Sequence, residues 1–195
     1  MKEKKGYKFK IIEFIITFFY SGKTKFAKGT SGSIATIIFW ITYNSCLNFY
    51  FPNLSGLQIL LNWLILLIFI TIIGHFSIME YLQYTPDTDP REVVIDEVLG
   101  QLISFMLSML AIEFFSSSLN EIFMQQNETI FAVLLLVTPF VFFRFFDIKK
   151  PWLVGMADKK LHGSLGIMLD DVIAGIFAGL SNGLLLYFTI TLLNR

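Results

Sequence analysis

The sequence predicts an all-α, polytopic membrane helical bundle, and three observations carry that prediction. Hydrophobic residues make up 55% of the 195-residue chain and charged residues 15%, against roughly 45–50% and about 25% in soluble domains. Apolar stretches approaching the ~20 residues that cross a bilayer as a helix recur along the chain. The charges between them are segregated by sign. The 15 basic and 15 acidic side chains cancel to zero, which excludes the basic excess of a nucleic-acid-binding domain and the high net charge of a disordered chain. Cys46 is the single cysteine, so neither a disulfide framework nor a multi-cysteine zinc site is available. The length fits one domain, 1–195.

The elements follow in order. Tyr7–Tyr20 interleaves Lys8, Lys10 and Glu13 with Ile and Phe, which reads as an interfacial amphipathic helix and not a span. It is expected to be retained, because Ser21-Gly22-Lys23-Thr24-Lys25 is too charged for a signal cleavage site. About five transmembrane helices are expected, near residues 33–51, 59–76, 98–112, 130–143 and 172–193. Asn44 and Asn48 interrupt the first, and Leu64–Ile73 forms a nearly unbroken apolar run in the second. The third opens directly after an acidic pair. Pro139 in the fourth predicts a kink, since its ring clashes with the preceding turn and removes a donor. In the fifth, Gly175, Gly179 and Gly183 recur every four residues and offer a small face to a neighbouring helix.

Loop charge orients the bundle. Eight of the fifteen Lys/Arg residues lie in the first 28 positions and five in Arg144–Asp171, whereas Pro52–Gln58 has no charge and Glu113–Glu128 has three glutamates and no base. The positive-inside rule therefore places the N-terminus in the cytoplasm. Three polar segments, Ser21–Ser33, Asp87–Glu97 and Arg144–Asp171, then meet at that face.

Those segments hold the candidate chemistry. Gly29-Thr30-Ser31-Gly32-Ser33 precedes the first span, where free N–H groups and hydroxyls either bind an anion or merely cap the helix. Asp96-Glu97 opens the third span and Asp170-Asp171 the fifth. Acids at a helix start suit the dipole, but adjacent carboxylates at a hydrocarbon boundary are costly unless paired or metal-bound. With Asp147 and Asp89 they supply enough hard oxygen ligands for Mg²⁺. Arg144, Asp147 and Lys150 fall at three-residue intervals, on one helix face if the helix continues as far as Pro151, and Arg144 either pairs with Asp147 or forks onto a phosphate. His162 is an acid–base candidate or a turn cap, and His75 a packed or hydrogen-bonded residue.

Three strings read together carry a resemblance: Gly29–Ser33 as GTSGS, Asp89–Gly100 as DPREVVIDEVLG, and Phe143–Gly175 as FRFFDIKKPWLVGMADKKLHGSLGIMLDDVIAG. In order, spacing and membrane context they resemble the phosphatidylglycerophosphatase A family. FRxxDxxKP and GIMxDDxxAG are the most specific portions, and Asp158, Gly163 and Gly166 also match. Where the family often has prolines before GTxGS, this chain has Lys25 and Lys28. The resemblance implies a Mg²⁺-dependent lipid phosphatase of the bacterial cytoplasmic membrane, converting phosphatidylglycerophosphate to phosphatidylglycerol and phosphate. It implies metal held by Asp96, Glu97, Asp170, Asp171 and Asp89, with Asp147, Asp171, Asp96 and His162 serving the reaction. Phosphate contacts are expected from Arg144, Lys150, Thr30, Ser31, Gly32 and Ser33. A headgroup transferase is the first rival, but its spaced D-G-x2-A-R…G-x3-D-x3-D pattern is absent. A transporter or scaffold is the second, yet ionisable groups here cluster at one interface and not at mid-bilayer.

Overall fold

Helices account for all the regular structure found. A computed structural model describes residues 6–25, 27–116 and 128–193, with no strand among them. Helix α1 is Tyr7–Ile16, α2 Lys28–Tyr50, α3 Gly56–Tyr81 and α4 Ile95–Ser116. After residue 127 come α5 (Glu128–Ala132), a π-helical turn (Val133–Val137), α6 (Thr138–Lys149), α7 (Leu153–Lys160) and α8 (Gly163–Leu193).

Among the described residues three stretches are long and apolar enough to cross a membrane: Gly56–Tyr84, Ile95–Phe115 and Gly163–Leu192. They cover the second, third and fifth predicted spans. The third is longer than its hydropathy run suggested, because it begins with buried Ile95 and the acidic pair itself. The first and fourth predicted spans fall on α2 and on the run from α5 through α6.

The α4–α8 pair is the spine of the fold, and the glycines explain how close it is. A Cβ on Gly175 would lie 2.2 Å from the Gly100 carbonyl oxygen, and one on Gly179 2.5 Å from Leu107 Cβ. From the other side, a Cβ on Gly100 would stand 2.4 Å from the Asp171 carbonyl oxygen. Only hydrogen fits at this crossing, so the small face read from the sequence is the contact surface.

Pro139 acts through the turn before it. Lacking an N–H, it cannot bond back to Leu135, and the chain widens there into the π-helical turn, where Thr138 N–H reaches Val133 O. The displaced Leu134 carbonyl accepts from Thr138 Oγ1 at 3.0 Å and from Asn182 Nδ2 on α8 at 2.7 Å. A buried carbonyl without its backbone donor needs another partner, and Asn182 of α8 supplies it.

Helix α1 ends sooner than the amphipathic pattern suggested. Phe18, Phe19 and Tyr20 follow it with φ of 40°, 58° and 65°, a left-handed reversal that L-residues resist. The turn is held by Thr17, whose Oγ1 donates to Glu13 O at 2.6 Å and accepts from Tyr20 N–H at 3.1 Å. Phe9, Ile12 and Ile16 are buried, Phe9 with its ring 5.6 Å from that of Tyr81 on α3, while Tyr7, Ile11 and Phe14 remain exposed. Ion pairs from Lys8 to Glu80 and from Lys23 to Glu13, each 2.6 Å, fasten the ends.

Candidate active site

The acidic start of α4 is fixed from three directions. Val94 N–H donates to Ile16 O at 2.9 Å, tying it to α1. Tyr81 Oη donates to Glu92 Oε1 at 2.7 Å, tying it to α3. Gly22 packs so tightly on the Glu92 carbonyl that a Cβ there would lie 2.2 Å from the oxygen. Held in this way, the first turn of α4 presents Asp96 and Glu97, and the α4–α8 crossing places Asp171 opposite them.

The result is a cluster of three carboxylates, Asp96, Glu97 and Asp171, whose ligand oxygens all lie within 4.8 Å of one another. None is in an ion pair among the described residues. Glu97 Oε2 and Asp171 Oδ1 are buried and find no hydrogen-bond partner there, while Asp96 Oδ1 accepts the Glu97 N–H at 3.0 Å. Like charges so close in a poorly hydrated setting repel strongly. Either protons or a cation must neutralise them. An all-oxygen set with inward-facing lone pairs fits a hard divalent ion, because Mg²⁺ takes one or two carboxylates and leaves positions for water and phosphate.

The bases stand beside this cluster. Arg144 on α6 lies 2.5 Å from Asp147 Oδ2, the i,i+3 pair that the spacing allowed. Lys150 follows the last turn of α6 at φ 44° and reaches Asp170 Oδ2 at 2.7 Å. A Cβ on Gly29 would lie 2.2 Å from Glu97 Oε1 and 3.1 Å from Arg144 Nη2. The first turn of α2 therefore sits directly against the acid and the guanidinium. All these groups line one open cavity of about 930 Å³, together with Lys25, Lys28, the 85–91 loop, His162 and Gly163.

The structure thus gathers Asp96, Glu97, Asp147, Asp170, Asp171, Arg144, Lys150 and His162 around one space. It does not place all the predicted residues alike. Asp170 faces Lys150 and is outside the tight carboxylate cluster. Asp89 lines the cavity from an exposed loop, its N–H bonded to Asp87 Oδ1 at 3.2 Å. The GTSGS string is not a loop before a helix but the opening turns of α2. Ser31 N–H already donates to Ala27 O at 2.9 Å, so Ser31 is inside the helix, and its hydroxyl lies 2.8 Å from Thr24 Oγ1. Gly32 packs on Val94, and Ser33 is fully buried. The cavity is lined by Lys28 and Gly29 and not by Thr30, Ser31, Gly32 or Ser33. The side chain of Asp158 lies outside the described residues.

Two residues gain a place that the sequence left open. His75 Nδ1 is 2.9 Å from Ser164 Oγ, joining α3 to the first turn of α8. Gln101 lies one turn beyond Glu97, fully buried, with both amide atoms unpartnered among the described residues. Its signal in the sequence is an amide within an otherwise apolar run.

The sequence signature of the phosphatidylglycerophosphatase A family matches residues 14–186. The chain belongs to that family. Among curated relatives, a phosphatidylglycerophosphatase A of Escherichia coli K12 is 27% identical over 160 residues, covering 82% of this chain and 74% of its own. A Bacteroides thetaiotaomicron protein, provisionally named a phosphatidylinositol-3-phosphatase, is 30% identical over 162 residues, 83% of this chain and 85% of its own. A Haemophilus influenzae phosphatidylglycerophosphatase A is 49% identical over a shorter stretch of 43 residues, 22% of this chain and 26% of its own. No solved structure matches. The family and these relatives make the chain a lipid phosphatase with membrane-type helices.

Proposed function

We propose that the protein hydrolyses the terminal phosphate monoester of phosphatidylglycerophosphate in a Mg²⁺-dependent reaction, releasing phosphatidylglycerol and inorganic phosphate. The observation that carries this reading is the cluster of Asp96, Glu97 and Asp171 beside Arg144 and Lys150 in a single cavity. Asp96, Glu97 and Asp171 would hold the ion. A divalent cation bound there supplies Lewis-acid stabilisation of the phosphate oxygens and lowers the pKa of a coordinated water.

The remaining groups have roles set by their charge and place. Arg144, braced by Asp147, offers guanidinium donors to the phosphoryl oxygens in the geometry a tetrahedral anion prefers. Lys150 adds a point charge, and Lys28 and Gly29 at the first turn of α2 line the same space. His162 on the rim would carry the proton to the departing glycerol oxygen. In this reading five helices cross the cytoplasmic membrane of a bacterium, with the N-terminus and the cavity on the cytoplasmic side, as loop charge requires.

The Bacteroides relative's name motivates a second reading with the same monoester chemistry on an inositol headgroup. Purified protein presented with phosphatidylglycerophosphate and with phosphatidylinositol 3-phosphate in the same mixed micelles separates the two. Phosphate release is expected to favour the glycerol headgroup, and a preference for the inositol lipid would reverse the assignment. Release from neither would remove both.

A further inference from the structure

Beneath the carboxylate cluster lies a set of buried polar atoms that the reaction does not use. Ser33 on α2 and Gln101 on α4 are both fully buried. Ser33 Oγ, Gln101 Oε1, Gln101 Nε2 and Glu97 Oε2 all lack a hydrogen-bond partner among the described residues. Orphaned polar atoms are rare in folded proteins, and each is costly when it stays unpaired.

Their placement is ordered. Glu97 Oε1 lies against Gly29, so α2 and α4 touch at that level. Both helices run in the same direction from there, since Trp40 of α2 and Phe105 of α4 meet again further along, with ring centroids 5.1 Å apart. Ser33 is four residues beyond Gly29 and Gln101 four beyond Glu97. Residues four apart share a helix face, so Ser33 and Gln101 each lie one turn further along the helix faces that meet at Gly29 and Glu97. Their hydrogen-bonding capacities are complementary. Ser33 has a hydroxyl to donate, Gln101 a carbonyl to accept it and an amide to donate onward, and Glu97 a carboxylate oxygen to accept.

We propose that Ser33 and Gln101 are positioning residues for Glu97: Ser33 O–H donates to Gln101 Oε1, and Gln101 Nε2 donates to Glu97 Oε2, so that Oε1 is held toward the cluster as a metal ligand. This rests on the reading of the cluster as a divalent-cation site. The arrangement explains why an amide occupies a buried position in α4 where an aliphatic residue would otherwise be preferred.

The test is direct Mn²⁺ binding to the full-length, metal-stripped protein in detergent, followed by electron paramagnetic resonance, with thermal unfolding recorded in chelator. Gln101→Leu is expected to weaken Mn²⁺ binding about 10- to 100-fold, the usual effect of losing an outer partner of a ligand. Its metal-free melting temperature should hold or fall by a few degrees, because the hydrogen bonds from Ser33 and to Glu97 are lost while the apolar packing is kept. Ser33→Ala should weaken binding less, and the double variant should match Gln101→Leu, because Ser33 acts through Gln101. Wild-type Mn²⁺ affinity in Gln101→Leu would overturn the relay while leaving the metal site standing. If Gln101→Leu does not fold, unchanged affinity in Ser33→Ala has the same force. Absence of Mn²⁺ binding to the wild-type protein would overturn the cation reading and the relay with it.

Discussion

Replacing Gly175 with alanine tests whether the α4–α8 crossing sets the geometry of the site. The new Cβ would lie 2.2 Å from the Gly100 carbonyl oxygen, 1.2 Å short of the 3.4 Å at which ordinary contact begins. The obstacle is backbone, so it cannot turn aside as a side chain would. The helices must separate by about that distance, at a cost of about 1–3 kcal/mol, partly offset by the ~1 kcal/mol helix preference of alanine over glycine. Asp171 lies one turn from Gly175, and Asp96 and Glu97 lie within about a turn of Gly100, so the separation passes directly to the carboxylates. Oxygens bound to one Mg²⁺ at ~2.1 Å are at most ~4.2 Å apart. The present 4.8 Å limit is close to that span, and a further displacement of about 1.2 Å is not. Gly175→Ala is therefore expected to lose more than about 100-fold in phosphate release and to lose Mn²⁺ affinity in parallel. Gly183→Ala is the control. Its Cβ would meet Ala111 Cβ at 3.3 Å, about 18 Å further along α8 from Asp171, and its activity should stay within about twofold. Folded Gly175→Ala with wild-type metal affinity and activity would refute the claim that this contact sets the cluster.

Three further outcomes follow from the same geometry. Asp171→Asn should abolish metal-dependent phosphate release yet raise the melting temperature in chelator by roughly 2–4 °C, about 1 kcal/mol for a chain of this size, because one of three crowded charges is gone; a lower metal-free melting temperature would contradict this. Lys150→Met should reduce kcat/KM about 10- to 100-fold, as expected for a charged phosphate contact, and should destabilise by about 1–2 kcal/mol by removing the ammonium from Asp170. Adding Asp170→Asn should restore stability without restoring activity. The Tyr81 hydroxyl beside Glu92 holds that carboxyl below its ordinary value of 4.5, with Lys28 at 3.6 Å adding to the effect. A depressed carboxyl stabilises the fold above its unfolded pKa and ceases to do so as pH falls through the folded one. The melting-temperature gap between wild type and Tyr81→Phe should therefore narrow below pH 4.5, and a constant gap would contradict the Tyr81–Glu92 assignment.

Much of this was legible in the sequence because its physics is local. Apolar runs mark the three membrane-length helices, four-residue glycine spacing marks the face that α8 turns to α4, and Arg144 and Asp147 pair across one helical turn as their count allows, although Lys150 falls just past the end of that helix. What was not legible depends on tertiary contact. GTSGS reads as a segment preceding the first span, yet it lies inside α2, where Gly29 and Gly32 allow Glu97 and Val94 to approach. That packing buries Ser33 and removes it from the phosphate site. Adjacent acids are likewise ambiguous: Asp170 and Asp171 project about 100° apart around the helix, and only the position of Lys150 shows that Asp170 takes the ammonium while Asp171 joins the cluster. Asp89, one residue before Pro90, falls on an exposed loop that spacing could not place. The role of Gln101 was hidden for the opposite reason. A single amide in an apolar run acquires meaning only when the carboxylate one turn above it is seen to face the site.

The most direct test of the central claim is phosphate release from phosphatidylglycerophosphate by the purified, metal-stripped protein as Mg²⁺ is added back. The account predicts no turnover in chelator, saturable recovery with Mg²⁺, and no recovery in Asp171→Asn. Equal phosphate release with and without Mg²⁺, or full recovery in Asp171→Asn, would contradict it.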